Sequence, residues 1–187
     1  MIIGIAGTLG AGKGTVVEYL KSKGFGHYSS SDTLRRILAE RGLPYKREHM
    51  SALANELSAN QPGGVLHESY KMAQAAGNDK YILEALHRVS EGEYVQKIGG
   101  IILGIDADIE TRFERISKRG DGGKDNVTFE EFKKDSERED EGKTGSGPNI
   151  RAVMEMADYT IMNNGTVAEL EAEVEKFLTK YTYGDNS

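Results

Sequence analysis

Short apolar runs alternate with amphipathic stretches from one end of the chain to the other. Ile2-Ile3-Gly4-Ile5-Ala6 is a continuous apolar run of strand length. A helical face of Val16, Val17 and Leu20 follows, with Gly24 as its stop. His27-Tyr28-Ser29 reads as a second strand, and Ser31 or Asp32 can cap a helix carrying Leu34, Ile37 and Leu38. Residues 45–77 read as two helices, one with Met50, Leu53 and Leu57, the other with Val65, Leu66 and Ala73, separated at Gln61-Pro62-Gly63-Gly64. Tyr81-Ile82-Leu83 and Ile101-Ile102-Leu103-Gly104-Ile105 are the third and fourth strands. Asp108 then caps a helix whose apolar face is Ile109, Phe113 and Ile116. Tyr159-Thr160-Ile161-Met162 is the fifth strand. Thr166 and Glu169 form a capping box that opens a last helix through Val167, Leu170, Val174, Phe177 and Tyr181. Residues 182–187 read as a fraying polar tail. Apolar strands alternating with helices predict an α/β fold, a parallel sheet covered on both faces.

Between the first strand and the first helix lies Gly7-Thr8-Leu9-Gly10-Ala11-Gly12-Lys13-Gly14-Thr15. The spacing G-x-x-x-x-G-K at a strand-to-helix junction is a phosphate cradle. Glycines let the backbone N–H groups wrap an anion, and the helix presents its positive end to the same point. Lys13 adds a point charge for the outer phosphates, and Thr15 offers a hydroxyl to Mg²⁺. Gly14 stands where a Ser or Thr commonly follows the lysine. The segment predicts nucleoside triphosphate binding, with Gly7, Gly10, Ala11, Gly12, Lys13, Gly14 and Thr15 holding ATP and Thr15 the metal.

One stretch breaks the alternation. Residues 120–148 hold six glycines and the charge run Glu137-Arg138-Glu139-Asp140-Glu141, with a capping box at Thr128 and Glu131. Glycine hinges around a short helix suit a lid over a nucleotide; a solvated surface insertion has the same composition.

Composition narrows the classes. The 187 residues suit one domain, and 37% hydrophobic with 29% charged residues is globular. No apolar run approaches the roughly 20 residues of a membrane span, and no signal-peptide pattern opens the chain. Without cysteine there is no thiol catalysis or zinc–thiolate site, and a cytoplasmic setting is the default. A net charge of −6 argues against a nucleic-acid partner, including a base in DNA as phosphate acceptor. His27, His49, His67 and His87 show no metal-ligand spacing.

Three segments together resemble the P-loop nucleoside monophosphate kinase group. The loop has the adenylate-kinase form, with glycine after the lysine. Ser29-Ser30-Ser31-Asp32-Thr33-Leu34-Arg35 is similar to that group's Ser-Thr-Gly-Asp-x-Leu-Arg, in which a hydroxyl and the arginine hold the acceptor. Those positions are Ser30 and Arg35. Glu84-Ala85-Leu86-His87-Arg88 stands where the group has Asp-Gly-Phe-Pro-Arg; the carboxylate and arginine keep their spacing, while Gly and Pro are absent. The resemblance implies acceptor-side roles for Glu84 and Arg88. In the C-terminal half, Ile105-Asp106-Ala107-Asp108, Arg112-Phe113-Glu114-Arg115-Ile116 and the run from Ala157 to Thr166 resemble dephospho-coenzyme A kinases and archaeal adenylate-kinase-related proteins. It implies a single domain over 1–187 with a five-stranded sheet in the order 2-3-1-4-5, an acceptor-binding helical insertion at 45–77 and a lid at 120–148.

The chemistry implied is transfer of the γ-phosphoryl of ATP to a small nucleotide-like acceptor. Such transfer relies on positioning and charge neutralisation. Lys13 grips the β- and γ-phosphates; Thr15, with Glu84 or Asp32, completes the Mg²⁺ shell; Arg35 and Arg88 draw in the acceptor. Arg115 and Arg119, four apart on one helical face, can close over the transferring group. Asp32 divides two acceptor classes. A nucleoside or deoxynucleoside monophosphate, the first choice, needs no base, whereas a hydroxyl such as that of dephospho-coenzyme A gains from a carboxylate that takes its proton. Helix capping alone would also account for Asp32. A non-kinase P-loop switch is the remaining class; against it, Asp106 at the end of strand four is followed by Ala107 rather than an acidic residue.

Overall fold

The computed structural model describes residues 1–119, 128–141 and 149–183; for Arg119, residues 138–141 and residue 183 only the helical backbone is described. Five strands, β1 (Ile2–Gly7), β2 (Gly26–Ser29), β3 (Tyr81–Leu86), β4 (Ile101–Asp106) and β5 (Tyr159–Met162), form one sheet in the order β2-β3-β1-β4-β5. Every adjacent pair is parallel. Nine helices accompany them among the described residues: α1 (Lys13–Ser22), α2 (Ser30–Glu40), α3 (Arg47–Asn60), α4 (Val65–Ala75), α5 (Val89–Lys97), α6 (Ile109–Arg119), α7 (Phe129–Glu141), α8 (Ile150–Glu155) and α9 (Val167–Tyr183).

Side chains alternate across each strand and so feed two cores. Ile3 and Ile5 of β1, Ile82 of β3, and Leu103 and Ile105 of β4 meet Val16, Leu20, Val174 and Phe177 of α1 and α9. The intervening positions, Ala6, Leu83, Leu86 and Ile102, meet Leu66, Ala73, Val95 and Val153 of α4, α5 and α8. Phe177 is fully buried, and a side chain of this kind contributes about 1.5–3 kcal/mol by leaving water. A third cluster, Leu34, Leu38, Leu53 and Val65, joins α2, α3 and α4 above the β2 edge.

Two helices lie outside the sequence pattern. α5 carries Gly92 in its interior, where a Cβ would come within 2.9 Å of the Met156 thioether, and a glycine there weakens the helical pattern. α8 has six residues, too few for a readable period. The α2 cap is Ser29, not Ser31 or Asp32. Its Oγ accepts from the Asp32 backbone N–H at 3.0 Å and donates to the Asp32 carboxylate at 2.8 Å. Asp32 is thus the third residue of the first turn. Val167 opens α9 on the exposed side, off the core face expected of it, and α9 continues through residue 183. The capping boxes at Thr128–Glu131 and Thr166–Glu169 are present. The glycine-bearing ends of the expected lid, 120–127 and 142–148, and residues 184–187 lie outside the described residues.

Candidate active site

Three strands end at the site. β1 stops at Gly7, and the chain curls through Gly10 (φ +82°) and Gly12 (φ +102°) before α1 starts at Lys13. These are left-handed conformations that only glycine adopts cheaply. A Cβ on Gly12 would also lie 2.5 Å from the Asn163 amide nitrogen, and one on Gly10 would lie 2.7 Å from the Arg112 carbonyl oxygen. The Lys13 ammonium crosses the loop and donates to the carbonyls of Gly7 (2.7 Å) and Thr8 (2.9 Å). Around Gly14 there is open space, so no contact within the fold demands glycine there.

The loop is braced from behind by residues that the sequence patterns did not single out for the purpose. Thr8 Oγ1 donates to Asp106 Oδ1 at 2.6 Å, and the same oxygen accepts the Ala107 N–H at 2.9 Å. The buried Asn163, just after β5, donates from Nδ2 to the Ala11 carbonyl at 2.8 Å. Buried Arg112 donates to the Ala107 carbonyl and packs over Phe132 of α7. Arg115 takes a different position from the one the spacing suggested. Its guanidinium donates to the carbonyls of Asn163 (2.9 Å) and Gly165 (3.3 Å), so it shapes the turn after β5. The Arg119 side chain lies outside the described residues.

In front of the loop is a cavity of about 480 Å³. Gly7 and Lys13 form its floor, Ser30 and Ser31 come from the start of α2, and His87, Arg88 and Glu91 come from the β3–α5 junction. Leu9, Leu34, Ala54, Val65 and Ile150 supply apolar wall. The structure therefore brings Lys13, Ser30 and Arg88 to one space, as expected, and adds His87, Glu91 and Ser58. The Ser30 hydroxyl is buried and has no hydrogen-bond partner among the described residues. Arg88 spans the cavity and donates to Ser58 Oγ of α3 at 2.8 Å, so the helical insertion touches the site.

Three of the expected acceptor residues are engaged elsewhere. Arg35 donates to Asp32 Oδ1 at 2.7 Å and lies over the Tyr45 ring at 4.5 Å. Neither Asp32 nor Arg35 lines the cavity, and both Asp32 oxygens are occupied, one by Arg35 and one by Ser29. Glu84, at the end of β3, is bonded through Oε2 to His27 Nε2 at 2.7 Å.

Two titratable groups of the wall are perturbed. Glu91 caps α5, its Oε2 accepting the backbone N–H groups of His87 (2.8 Å) and Arg88 (3.1 Å). Burial pushes its carboxyl above the usual carboxylate range, against those bonds and the Arg88 charge. His87 is exposed. Crowding by protein and the nearby Lys13 and Arg88 cations hold its imidazole below the ordinary histidine value, with Glu84 opposing. Among the described residues no three His, Cys, Asp or Glu side chains are grouped to hold a metal ion. None of the described helices is long and apolar enough to cross a membrane.

A family model described as an AAA domain matches residues 3–147. A UPF0200 protein of Hyperthermus butylicus is 30% identical over 184 residues, covering 97% of this chain and 95% of that one. Another from Thermococcus kodakarensis is 29% identical over 187 residues, covering 95% and 96%. Among solved structures, shikimate kinase from Acinetobacter baumannii in complex with shikimate superimposes with a TM-score of 0.63 at 17% identity, covering 100% of this chain and 95% of that one. Dephospho-CoA kinase from Campylobacter jejuni gives 0.60 at 16% identity, with 98% of each covered. At such identities the two kinases bear on the fold: a P-loop kinase sheet with its phosphate loop after the first strand.

Proposed function

Because the chain belongs to the AAA-domain family that its residues 3–147 match, we propose that it is an ATP-dependent phosphotransferase acting on a small, nucleotide-like acceptor. One observation carries the reading. The loop lysine, Lys13, and an arginine from the end of β3, Arg88, line the same cavity of about 480 Å³ beside the phosphate loop. A donor cradle opening into a second pocket is what group transfer needs and what a nucleotide switch does not. The loop and the start of α1 hold the β- and γ-phosphates of ATP, and the Gly10 and Gly12 conformations suit an anion.

The donor set fits Mg²⁺, which takes one or two protein oxygens beside phosphates and water. The Thr15 hydroxyl, in the first turn of α1, would hold the ion. When bound, Mg²⁺ draws charge off the phosphate oxygens. Arg88 orients the acceptor, and the Ser30 hydroxyl gives it a hydrogen bond. The α7 segment would serve as part of a lid, and α3–α4 as the acceptor-binding insertion.

On motifs alone a nucleoside monophosphate is the first acceptor. A hydroxyl acceptor, as in dephospho-coenzyme A, gains support from Arg35. This arginine would be the second clamp on an acceptor phosphate, yet it is paired with Asp32 and stacked on Tyr45 outside the cavity. The test is incubation with Mg-ATP and a panel of monophosphates, deoxymonophosphates, hydroxy acids and dephospho-coenzyme A, following ADP. An acceptor that raises ADP formation above the basal rate supports the proposal; a panel with no effect overturns it.

A further inference from the structure

We infer that the group phosphorylated in this cavity is a hydroxyl and that His87 is the catalytic residue that takes its proton. The inference rests on the phosphotransferase reading above and assigns the proton path within it. Among the described residues, the cavity wall has four titratable side chains: Lys13, His87, Arg88 and Glu91. Lys13 and Arg88 are cations and cannot accept. Glu91 is buried, and its Oε2 is committed to capping α5 by accepting two backbone N–H groups. His87 remains. Its ring makes no hydrogen bond to another described residue, and His87 is exposed and lines the cavity.

Among the described carboxylates nearby, Asp32, Glu84 and Asp106 each hold a protein partner. Both Asp32 oxygens are bonded and the residue lies off the cavity; Glu84 is held by His27. The His87 main chain is held on both sides, since its N–H donates to Glu91 Oε2 and its carbonyl accepts from the Asn149 N–H at 2.7 Å. Three charged groups act on the ring, Lys13 from α1, Glu84 from β3 and Arg88 from the β3–α5 junction, and Glu91 of α5 binds the His87 backbone N–H. Crowding by protein and the two cations favour the neutral ring, while Glu84 favours the imidazolium. A neutral imidazole beside the lysine that grips the γ-phosphoryl group is matched to a proton acceptor's task.

In the step, the acceptor oxygen bonds to the γ-phosphorus of ATP. The bond from that phosphorus to the β–γ bridging oxygen breaks, and its electron pair leaves on ADP. The hydroxyl proton passes to the free imidazole nitrogen of His87, which later returns it to solvent. A phosphate acceptor would need no such partner.

The probe is magnesium-ATP hydrolysis, with water standing in for the hydroxyl, alongside the hydroxyl and monophosphate acceptors above. In H87Q, kcat for water and hydroxyl acceptors should fall by ~100-fold or more, with KM for ATP unchanged. In H87A, free imidazole should restore part of the rate. Wild-type kcat should fall on the acid side, and H87Q should lack that limb. An H87Q variant with wild-type kcat, a defect confined to KM, or an H87A variant deaf to imidazole would overturn the assignment. Wild-type turnover no faster than that of K13A would instead sink the phosphotransferase reading, and the inference with it.

Discussion

The side-chain amide of Asn163 donates a 2.8 Å hydrogen bond to the carbonyl oxygen of Ala11, joining the turn after the last strand to the loop after the first. Both residues are buried, and Arg115 binds the Asn163 carbonyl from the other side. The loop's shape therefore depends on the C-terminal half of the chain. Asn163→Ala leaves the Ala11 carbonyl buried without this donor, a loss of about 1–3 kcal/mol. Thermal unfolding should fall by roughly 2–4 °C for each kcal/mol, and the Kd for ATP should rise in calorimetric titration. Unchanged ATP affinity would detach this bond from the loop's function.

Two glycines two residues apart should respond oppositely. Gly12→Ala meets both a positive φ and the Asn163 amide, so ATP binding should be lost and stability lowered. Gly14→Ala enters open space in the first turn of α1 and should stabilise by up to about 1 kcal/mol. Denaturant unfolding of the two variants distinguishes them; a destabilised Gly14→Ala would contradict the absence of any steric demand there.

Glu91 separates a cap from a charge. Its folded pKa is raised, so the fold loses stability as pH rises from the ordinary carboxylate value through the folded one. Glu91→Gln keeps an oxygen for the two N–H groups and removes that loss. Its Tm advantage over wild type should be present at pH 7 and vanish near pH 3. Glu91→Leu strips the acceptor from both N–H groups and should cost about 1–3 kcal/mol for each at either pH.

Ser30 has a buried hydroxyl with no described partner, so Ser30→Ala should leave stability unchanged or slightly higher. If that hydroxyl meets the acceptor, the acceptor's KM should rise about 5- to 10-fold with KM for ATP unaltered. A drop in Tm without a KM effect would make Ser30 a structural residue only.

Local chemistry was legible in the sequence wherever it was complete within a few residues. The β1–loop–α1 unit, the apolar run of β4 and the Thr166–Glu169 box each contain their own reason to form. Long cationic side chains were not legible in this way. Arg35 and Arg115 carry the right charge at the right spacing, but their end points are set by Tyr45 and by Asn163, residues 10 and 48 positions away. His87 did not stand out because what distinguishes it is its surroundings: the nearby Lys13 and the cap at Glu91. α5 was hidden by Gly92, which packs against Met156 in the fold.

Transfer of an isotopic label from the γ-phosphate of ATP tests the central claim most directly. Wild-type protein, Mg²⁺ and the acceptor panel should place the label on an acceptor, with Lys13→Ala lowering the rate by ~100-fold or more, the loss expected when a cation aimed at transition-state charge is removed. Label that stays on ATP with every acceptor, and equally so for Lys13→Ala, would contradict the account.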